Sequence, residues 1–431
     1  MRKKYRFSIL AAIILAFLII SPWAISFAFG YIFEFKNFSF KKTGTLIVRT
    51  LPKGARVIIN DRPTSHFTPA TVRLLLPGAY RIRLEKDGFL TWQKSVNILP
   101  GQVTFLPEGG SDISLFLSAG SAEIISTDTL TLIGTLQDQW AITATSTFAL
   151  KKLSEPRNFQ IDFPAQNLAK PSFQITPDGE WLFIYDEGKF KRAGNISAKT
   201  VIETRDLPKG TVNALPWKKN QMLIELADKN LFFWSPETLK FFRKAPQSYA
   251  VSADEFLFLE NGNVYSLDRA SSTLELIFTD LHNFPDPKLF PTRSAGLLGL
   301  SGKRLFQLTP QLRRLPGESI ETVTWHEQSK TLLYASPNEI WFDKANLGGG
   351  PEIIVRASDA LKKPVYADAL QQIVFLQDSK IKAVELYGPA PRNITTLVES
   401  ETPITDFLLD PQARIIYFLQ ANGDLLSKKI R

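Results

Sequence analysis

The segment SFQITPDGEW, residues 172–181, joins a short strand pattern to a polar turn and continues into the apolar run LFIY, residues 182–185. It aligns with TLIGTLQDQW, residues 131–140, at an offset of about 41 residues. Comparable segments begin near Val212, Ser248, Lys288, Thr322, Val365 and Thr405, with a mean spacing of roughly 39 residues. A repeat of this length indicates an architecture built from stacked supersecondary units.

Each unit has the same plan of strands and turns. A short strand leads into a polar turn, a strongly apolar strand follows, and a turn rich in Gly or Asn precedes a third strand, as in NGNVYSL, residues 261–267. Four strands in about 40 residues is the length of one β-propeller blade. The sequence therefore predicts a β-propeller over residues 119–431.

The number of blades depends on how the ring closes. Eight starts are visible, but the last unit ends at Arg431 after only three strands. The segment AEIIS, residues 122–126, lies immediately before the first repeat and is expected to complete that unit. A seven-bladed propeller remains the alternative if the weak unit near Lys288 is an insertion.

One repeat carries a familiar signature. The residues Pro177, Asp178, Gly179 and Trp181 resemble the repeat signature of WD-like and Tol-type propellers, which is degenerate in the other units. An Asp-Gly pair also occurs in calcium and ligand sites, but between two strands it is typical of a tight hairpin turn. We therefore expect these four residues to be structural.

Residues 44–118 follow a different pattern, with short alternating strands and no helical period. Tyr80, Ile82 and Leu84 alternate with Arg81 and Arg83, as in a half-buried strand. Turn signals separate the strands at residues 52–54, 60–61, 77–78, 87–88 and 100–101. This pattern predicts a small antiparallel β-sandwich, so the chain as a whole is expected to be all-β apart from its N-terminal helix.

This stretch resembles the PEGA domain family. The matching residues are Pro52, Gly54, Ala55, Thr68, Pro69, Pro77, Gly78, Tyr80, Gly88 and Phe89. Lys53 stands where the family name has Glu, and Phe89 replaces the usual Tyr. The resemblance implies a surface-exposed, non-catalytic module of membrane-anchored PEGA domain-containing proteins, in which these residues shape turns.

The N-terminus predicts one membrane span. Residues 7–33 contain no charged side chain, and this run exceeds the roughly 20 residues needed to cross a bilayer as a helix. Basic side chains crowd residues 1–6, which are expected to stay cytoplasmic as a basic tail and to send the chain outward. We predict an uncleaved anchor at 7–29 and a juxtamembrane linker at 30–43. The alternative is a signal peptide cleaved after Ala28.

The net charge of +9 is unevenly distributed. Residues 1–42 carry about +6 and residues 43–120 about +4, which leaves about −1 for the long C-terminal region. Positive charge beside a membrane segment favours anionic lipid headgroups as partners. Nucleic-acid binding needs a basic surface on the body itself, so this class is disfavoured.

No catalytic or metal-binding constellation stands out. The chain has no cysteine, and its three histidines, His66, His282 and His326, lack metal-ligand spacing. Acidic pairs such as Asp186-Glu187 and Asp254-Glu255 fall at predicted turns and are expected to be solvated charges. We predict no cofactor, no metal and no enzymatic activity.

The function indicated is a single-pass, extracytoplasmic binding or scaffold protein of the cell envelope. Its propeller is expected to bind a protein or a cell-wall glycan. Two alternatives remain: a propeller hydrolase with dispersed carboxylates that acts on envelope glycan or peptide, and a purely structural envelope component.

Overall fold

The computed structural model describes residues 3–34, 39–107, 111–118, 120–134, 139–144, 147–153, 160–164, 168, 170–175, 181–187, 189–196, 200–203, 206–218, 221–235, 238–251, 255–282, 284–285, 287–290, 292, 296–344, 350–386 and 392–431. The chain forms two compact units. The first comprises Met1–Gly120, Glu385–Asn393 and Arg431, and the second comprises Ser121–Val384 and Ile394–Ile430.

The N-terminal helix α1 spans Lys3–Ala28. Its segment Ile9–Ala28 is 20 residues long, apolar and unburied, so its length and composition suit a membrane span or a signal sequence. Pro22 lies inside the helix, which continues to Ala28.

The remaining strands of the first unit form small sheets. They are β1 (Tyr31–Glu34), β2 (Ser39–Lys42), β3 (Gly44–Val48), β4 (Thr50–Leu51), β5 (Arg56–Ile59), β6 (Arg62–Phe67), β7 (Ala70–Leu75), β8 (Gly78–Glu85), β9 (Trp92–Ile98), β10 (Val103–Leu106) and β11 (Ile113–Ser114). β1 and β2 form a hairpin, the order β10-β3-β7 makes one sheet, and β6-β5-β8-β9 makes another.

The two larger sheets share one apolar core, as expected of a sandwich. Leu46 and Val48 of β3 and Val57 of β5 are fully buried, together with Ile82 and Leu84 of β8. The pairing differs from the all-antiparallel expectation at two places, because β10 runs parallel to β3 and β11 runs parallel to β4. β10 and β11 thus follow each other along the chain in the same direction as β3 and β4, the strands beside which they lie.

The second unit is a propeller of eight four-stranded blades in the described chain. Blade one contains β13 (Thr129–Gly134), β14 (Gln139–Ala144), β15 (Thr147–Lys152) and β16 (Gln160–Pro164), and blade two contains β17 (Pro171–Ile175), β18 (Trp181–Asp186), β19 (Lys189–Asn195) and β20 (Thr200–Glu203). Blade three contains β21 (Thr211–Lys218), β22 (Gln221–Leu226), β23 (Leu231–Ser235) and β24 (Thr238–Arg243). Blade four contains β25 (Ser248–Val251), β26 (Glu255–Glu260), β27 (Asn263–Asp268) and β28 (Leu274–Phe278).

Blade five contains β29 (Lys288–Phe290), β30 (Leu298–Ser301), β31 (Arg304–Gln307) and β32 (Arg313–Arg314). Blade six contains β33 (Thr322–His326), β34 (Thr331–Ala335), β35 (Glu339–Lys344) and β36 (Glu352–Arg356). Blade seven contains β37 (Lys362–Ala367), β38 (Gln372–Gln377), β39 (Lys380–Glu385) and β40 (Ile394–Glu399). Blade eight contains β41 (Ile404–Leu409), β42 (Ile415–Gln420), β43 (Leu425–Lys429) and, as its fourth strand, β12 (Glu123–Ser126).

Apolar side chains fill the spaces between successive blades. Within β26, Phe256 and Phe258 pack toward blade three, whereas Leu257 and Leu259 pack toward blade five. Both faces of such a strand are buried because successive side chains point to opposite sides. The strongly apolar runs of the sequence are therefore the inner strands of the blades.

The ring closes through β12, as the sequence predicted. β12 pairs antiparallel with β43, with Glu123 opposite Ser427 and Ile124 opposite Leu426. Leu425 is fully buried in the cluster that joins blade eight to blade one. The unit near Lys288 is a complete blade, which makes the count eight in the described chain.

We expect Leu425→Ala to lower the free energy of unfolding of the propeller by about 2–5 kcal/mol, because it leaves a cavity at the closure. The matched control is Ile124→Ala on the paired strand. Ile124 is 64% exposed, so its truncation should change stability by less than about 0.5 kcal/mol. Thermal unfolding of the full chain measures both, and equal effects would show that the closure does not depend on this core.

Candidate binding site at the outer strand of blade four

A cavity of about 450 Å³ opens beside blades four and five. Carboxylates and hydroxyls line much of it, and aliphatic side chains complete the surface. The blade-four residues are Glu255, Leu257, Ser266, Asp268, Ser271, Thr273, Glu275 and Ile277, and the others are Thr292, Gly296, Leu297 and Thr309. The lining suits a ligand that combines polar or cationic groups with some apolar surface.

The register of blade four brings these side chains together. Leu257 lies opposite Ser266, and Ser266 lies opposite Glu275, so the three form a row across β26, β27 and β28. Glu255 lies opposite Asp268 in the next row. Residues that oppose one another across antiparallel strands point to the same face.

The small size of blade five accounts for the open space. Its strands β29 and β32 have three and two residues, whereas β26 and β27 have six each. Leu257 and Leu259 still pack against leucines of blade five, including Leu289 and Leu297. Beyond that core, the polar end of the blade-four face borders the cavity.

Hydrogen bonds hold the polar side chains of the cavity in place. Ser266 Oγ donates to Glu255 Oε2 at 2.7 Å, and the Asp268 carboxylate accepts from the Ser271 amide and hydroxyl at 2.6 and 2.8 Å. On the other wall, the Leu297 amide donates to Thr309 Oγ1 at 2.7 Å. The acidic groups are thus fixed in orientation by their neighbours.

β28 has a face toward the cavity, an opposite exposed face and an outer edge, and the three differ in chemistry. Glu275 and Ile277 line the cavity, while Leu274 and Leu276 on the opposite face are exposed. In the described part of the propeller, β27 is the only strand paired with β28, so its outer edge carries unpaired backbone groups. An apolar edge strand beside an acidic cavity is suited to pairing with an extended segment of another chain.

The structure explains the first group of PEGA-like residues. The Gly54 amide donates to the Thr68 carbonyl at 2.7 Å, and the Thr68 amide donates to the Ala55 carbonyl at 2.8 Å. The Thr68 hydroxyl accepts from the Ala55 amide at 3.0 Å and contacts the Thr50 hydroxyl, which donates to the Pro52 carbonyl at 2.8 Å. Gly54 has a φ of +85°, which favours glycine. These residues form a hydrogen-bonded clasp.

The remaining PEGA-like residues lie at turns and edges. Pro69 and Pro77 are exposed at the two ends of β7, and Gly78 begins β8. Tyr80 donates from its hydroxyl to the Leu76 carbonyl at 2.8 Å, and burial raises the pKa of this phenol. Gly88 accepts from the Ser118 amide, and Phe89 packs against the sandwich core.

The propeller signature is only partly visible. Pro177, Asp178 and Gly179 lie outside the described residues. Trp181 begins β18 and packs against the core cluster around Phe183 and Tyr185.

The expectation of solvated acidic turns was wrong for Asp186, which is buried, and Glu255 lies in a strand and not in a turn. Asp186 is buried at the end of β18, where it accepts a hydrogen bond from the Lys170 amide at 2.7 Å. Glu255 begins β26 and borders the cavity, whereas Asp254 lies outside the described residues. The alternation of side chains along the strand was the available sequence signal. It places Glu255 on the same face as Leu257 and opposite to Phe256, and so indicates that Glu255 belongs to the strand.

The histidines lie in separate surroundings. His66 is exposed on β6, the ring of His282 lies against Gly262, and His326 Nδ1 is 2.7 Å from Ser329 Oγ. Among the residues that the structure describes, no group of three or more His, Asp or Glu side chains is placed to hold a metal ion.

Comparisons with known proteins found one matching family model and several similar solved structures. Residues 43–107 match the family model of the PEGA domain. The chain is similar in structure to the designed Ika8 protein and to the C-terminal WD40 domain of Sif2, with TM-scores of 0.48 and 0.46, 12% identity in each case, and coverage of 72% of this chain and 98% of each of those chains.

A third similar structure is BamB from Moraxella catarrhalis, at 13% identity and a TM-score of 0.43, with coverage of 72% of this chain and 96% of that chain. No match was found among curated protein sequences.

We expect Thr68→Val to destabilise the first unit by about 1–3 kcal/mol, because it leaves the buried Ala55 amide without its acceptor. Thr71→Val, at an exposed position on β7, is the control and should change stability by less than about 0.5 kcal/mol. If the two buried hydroxyls act as a pair, adding Thr50→Val to Thr68→Val should cost less than the sum of the single changes. Chemical denaturation measures the cycle, and strict additivity would argue against the clasp.

Proposed function

We propose that this protein is a membrane-anchored, extracytoplasmic scaffold of the cell envelope that binds a protein partner through β28. In this proposal α1 anchors the chain, the PEGA domain is a spacer and surface contact, and the propeller recognises the partner. The observation that carries the proposal is that the apolar outer strand β28 has no strand on its outer edge, among the described residues, and also borders an acidic cavity.

The chemistry of β28 favours a particular kind of partner. A strand that pairs with β28 places alternate side chains on opposite faces. One set would meet the exposed Leu274 and Leu276, and the other would meet Glu275 and the mouth of the cavity. We therefore propose an extended segment in which apolar residues alternate with basic or polar ones.

The neighbouring blade supports a protein rather than a glycan as the partner. The outer strand β24 of blade three exposes Leu239 and Phe241. Exposed apolar side chains on successive outer strands suit a protein surface. Rows of exposed Trp or Tyr would favour a glycan, whereas Trp217 is buried and contributes to the core between blades three and four.

The proposed role is non-enzymatic. Glu255 and Asp268 face each other across β26 and β27, and this observation favours the hydrolase alternative most. Both carboxylates hold local structure through serine hydroxyls, as expected of a binding wall. A hydrolase would release fragments from wall glycan or peptide, and Glu255→Gln or Asp268→Asn would abolish that release.

The proposed topology follows the basic N-terminal flank. Protease added to intact cells should digest a tag at the C-terminus and spare a tag at the N-terminus, because the basic residues stay inside. The mass of the membrane-bound chain should include residues 1–28. A mature chain that begins after Ala28 would replace the anchor with a cleaved signal peptide.

Photo-crosslinking tests the binding site. The native chain has no cysteine, so Leu276→Cys provides a single labelling position for a benzophenone crosslinker. We expect this position to give a discrete crosslinked protein in envelopes of the source cell. Ile394→Cys on β40 is the matched control, because Ile394 and Leu276 are 52% and 54% exposed on outer strands.

Charge reversal completes the test. Glu275→Lys should remove the crosslinked protein, whereas Glu401→Lys at an exposed position in another blade should leave it unchanged. Equal products at positions 276 and 394 would refute the site. Products that contain wall glycan without protein would favour the glycan alternative.

A further inference from the structure

We infer that the PEGA domain has a membrane-contacting edge, formed by the turn between β9 and β10 together with β2 and the start of β10. This edge would lie in the headgroup layer of the bilayer that holds α1. The inference rests on the proposed anchor and adds a second contact with the membrane, made by the folded domain.

A chain of hydrogen bonds places this edge at the end of the helix. The Gly30 amide donates to the Phe27 carbonyl at 3.0 Å, and the Thr43 amide and hydroxyl donate to the Gly30 carbonyl at 2.8 and 2.6 Å. The Gly101 amide in turn donates to the Thr43 carbonyl at 2.8 Å. The turn between β9 and β10 is therefore two hydrogen-bonded steps from Gly30, the second residue beyond the end of the helix.

Thr43 is well suited to hold this connection. It is 7% exposed, and its backbone and side chain together make three hydrogen bonds. These hydrogen bonds hold the turn close to the end of α1, where the proposed anchor would leave the hydrocarbon.

The side chains of this edge are apolar where water would favour polar ones. Leu99 is 43% exposed and Val103 is 49% exposed, and Phe40 on β2 is exposed as well. Val103 begins β10, the edge strand of its sheet. When exposed apolar groups next to a membrane span enter the interface, the free energy of the system falls because apolar surface is removed from water.

A lysine side chain accompanies these apolar groups. The side chain of Lys42 lies over Gly101, so closely that a Cβ added at this glycine would be 2.5 Å from Lys42 Cε. Lys42 shares its face of β2 with Phe40, because alternate residues of a strand point to the same side. Ammonium groups beside an apolar surface can reach lipid phosphates while their aliphatic stems remain in the interface. Both apolar burial and charge therefore point to a lipid surface as the occupant.

The opposite end of the domain provides an internal control. Gly44 and Thr50 lie six positions apart along β3 and β4, about 20 Å at the rise of an extended strand. Thr50 contacts Thr68, so the neighbouring Phe67 marks the end far from Gly44. Phe67 is 53% exposed, which makes it as available to solvent as Val103.

The test uses the full chain in nanodiscs that contain anionic lipid. Single cysteines replace Leu99, Val103 and Phe67, and a fourth replaces Ile14 in α1; each carries a nitroxide label. Electron paramagnetic resonance then measures the accessibility of each label to oxygen, which concentrates in lipid, and to a water-soluble nickel chelate. We expect the oxygen-to-nickel ratio to fall in the order Ile14, Leu99 and Val103, Phe67.

The outcomes separate this inference from the proposed anchor. If Ile14 reports lipid while Leu99 and Val103 match Phe67, the membrane-contacting edge is refuted and the anchor stands. If Ile14 itself reports water, the anchor fails. A Lys42→Glu change should lower the ratio at Leu99 in anionic nanodiscs, whereas Lys53→Glu, an exposed change next to Gly54, should leave it unchanged.

Discussion

The structure of the propeller depends on the need to cover both faces of every inner strand. In β26, Phe256 and Phe258 are buried against one neighbouring blade, and Leu257 and Leu259 against the other. A row of such blades with free ends would expose two large apolar faces, each at a cost of roughly 25 cal/mol per Å². Closure through β12 removes both ends, and it ties the start of the propeller to its last strand, β43.

Local patterns made the fold predictable. The first strands of the blades begin within about three residues of the positions inferred from the repeat, as at Ser248, Lys288 and Thr322, because strand alternation and turn residues are read over a few neighbouring positions. The segment at 122–126 was predictable as the closing strand because the last unit lacked one. The PEGA signature was equally visible, but the reason for it was not, since the Thr50 and Thr68 hydroxyls meet across 18 residues.

The candidate site could not be predicted, because its residues come together only through register. Glu255, Ser266 and Glu275 lie on three strands, and the turns between these strands set which side chains oppose one another. The cavity also depends on the short strands of blade five, whose lengths the weak repeat near Lys288 did not reveal. Alternation identified the face on which Glu255 lies, but no local pattern identified what covers that face.

The outer strands carry the differences between blades because the inner ones are constrained by packing. Blade five ends in Arg313 and Arg314, charges of the kind that protect an edge from unwanted pairing. β28 instead exposes Leu274 and Leu276 and has a single charged residue, Glu275, so its edge is less protected. A weakly protected edge is tolerable when a partner covers it, and a membrane anchor would raise the effective concentration of a partner in the same envelope. A short strand beside an acidic cavity would then suffice for recognition, even though the strand offers only a few backbone hydrogen bonds.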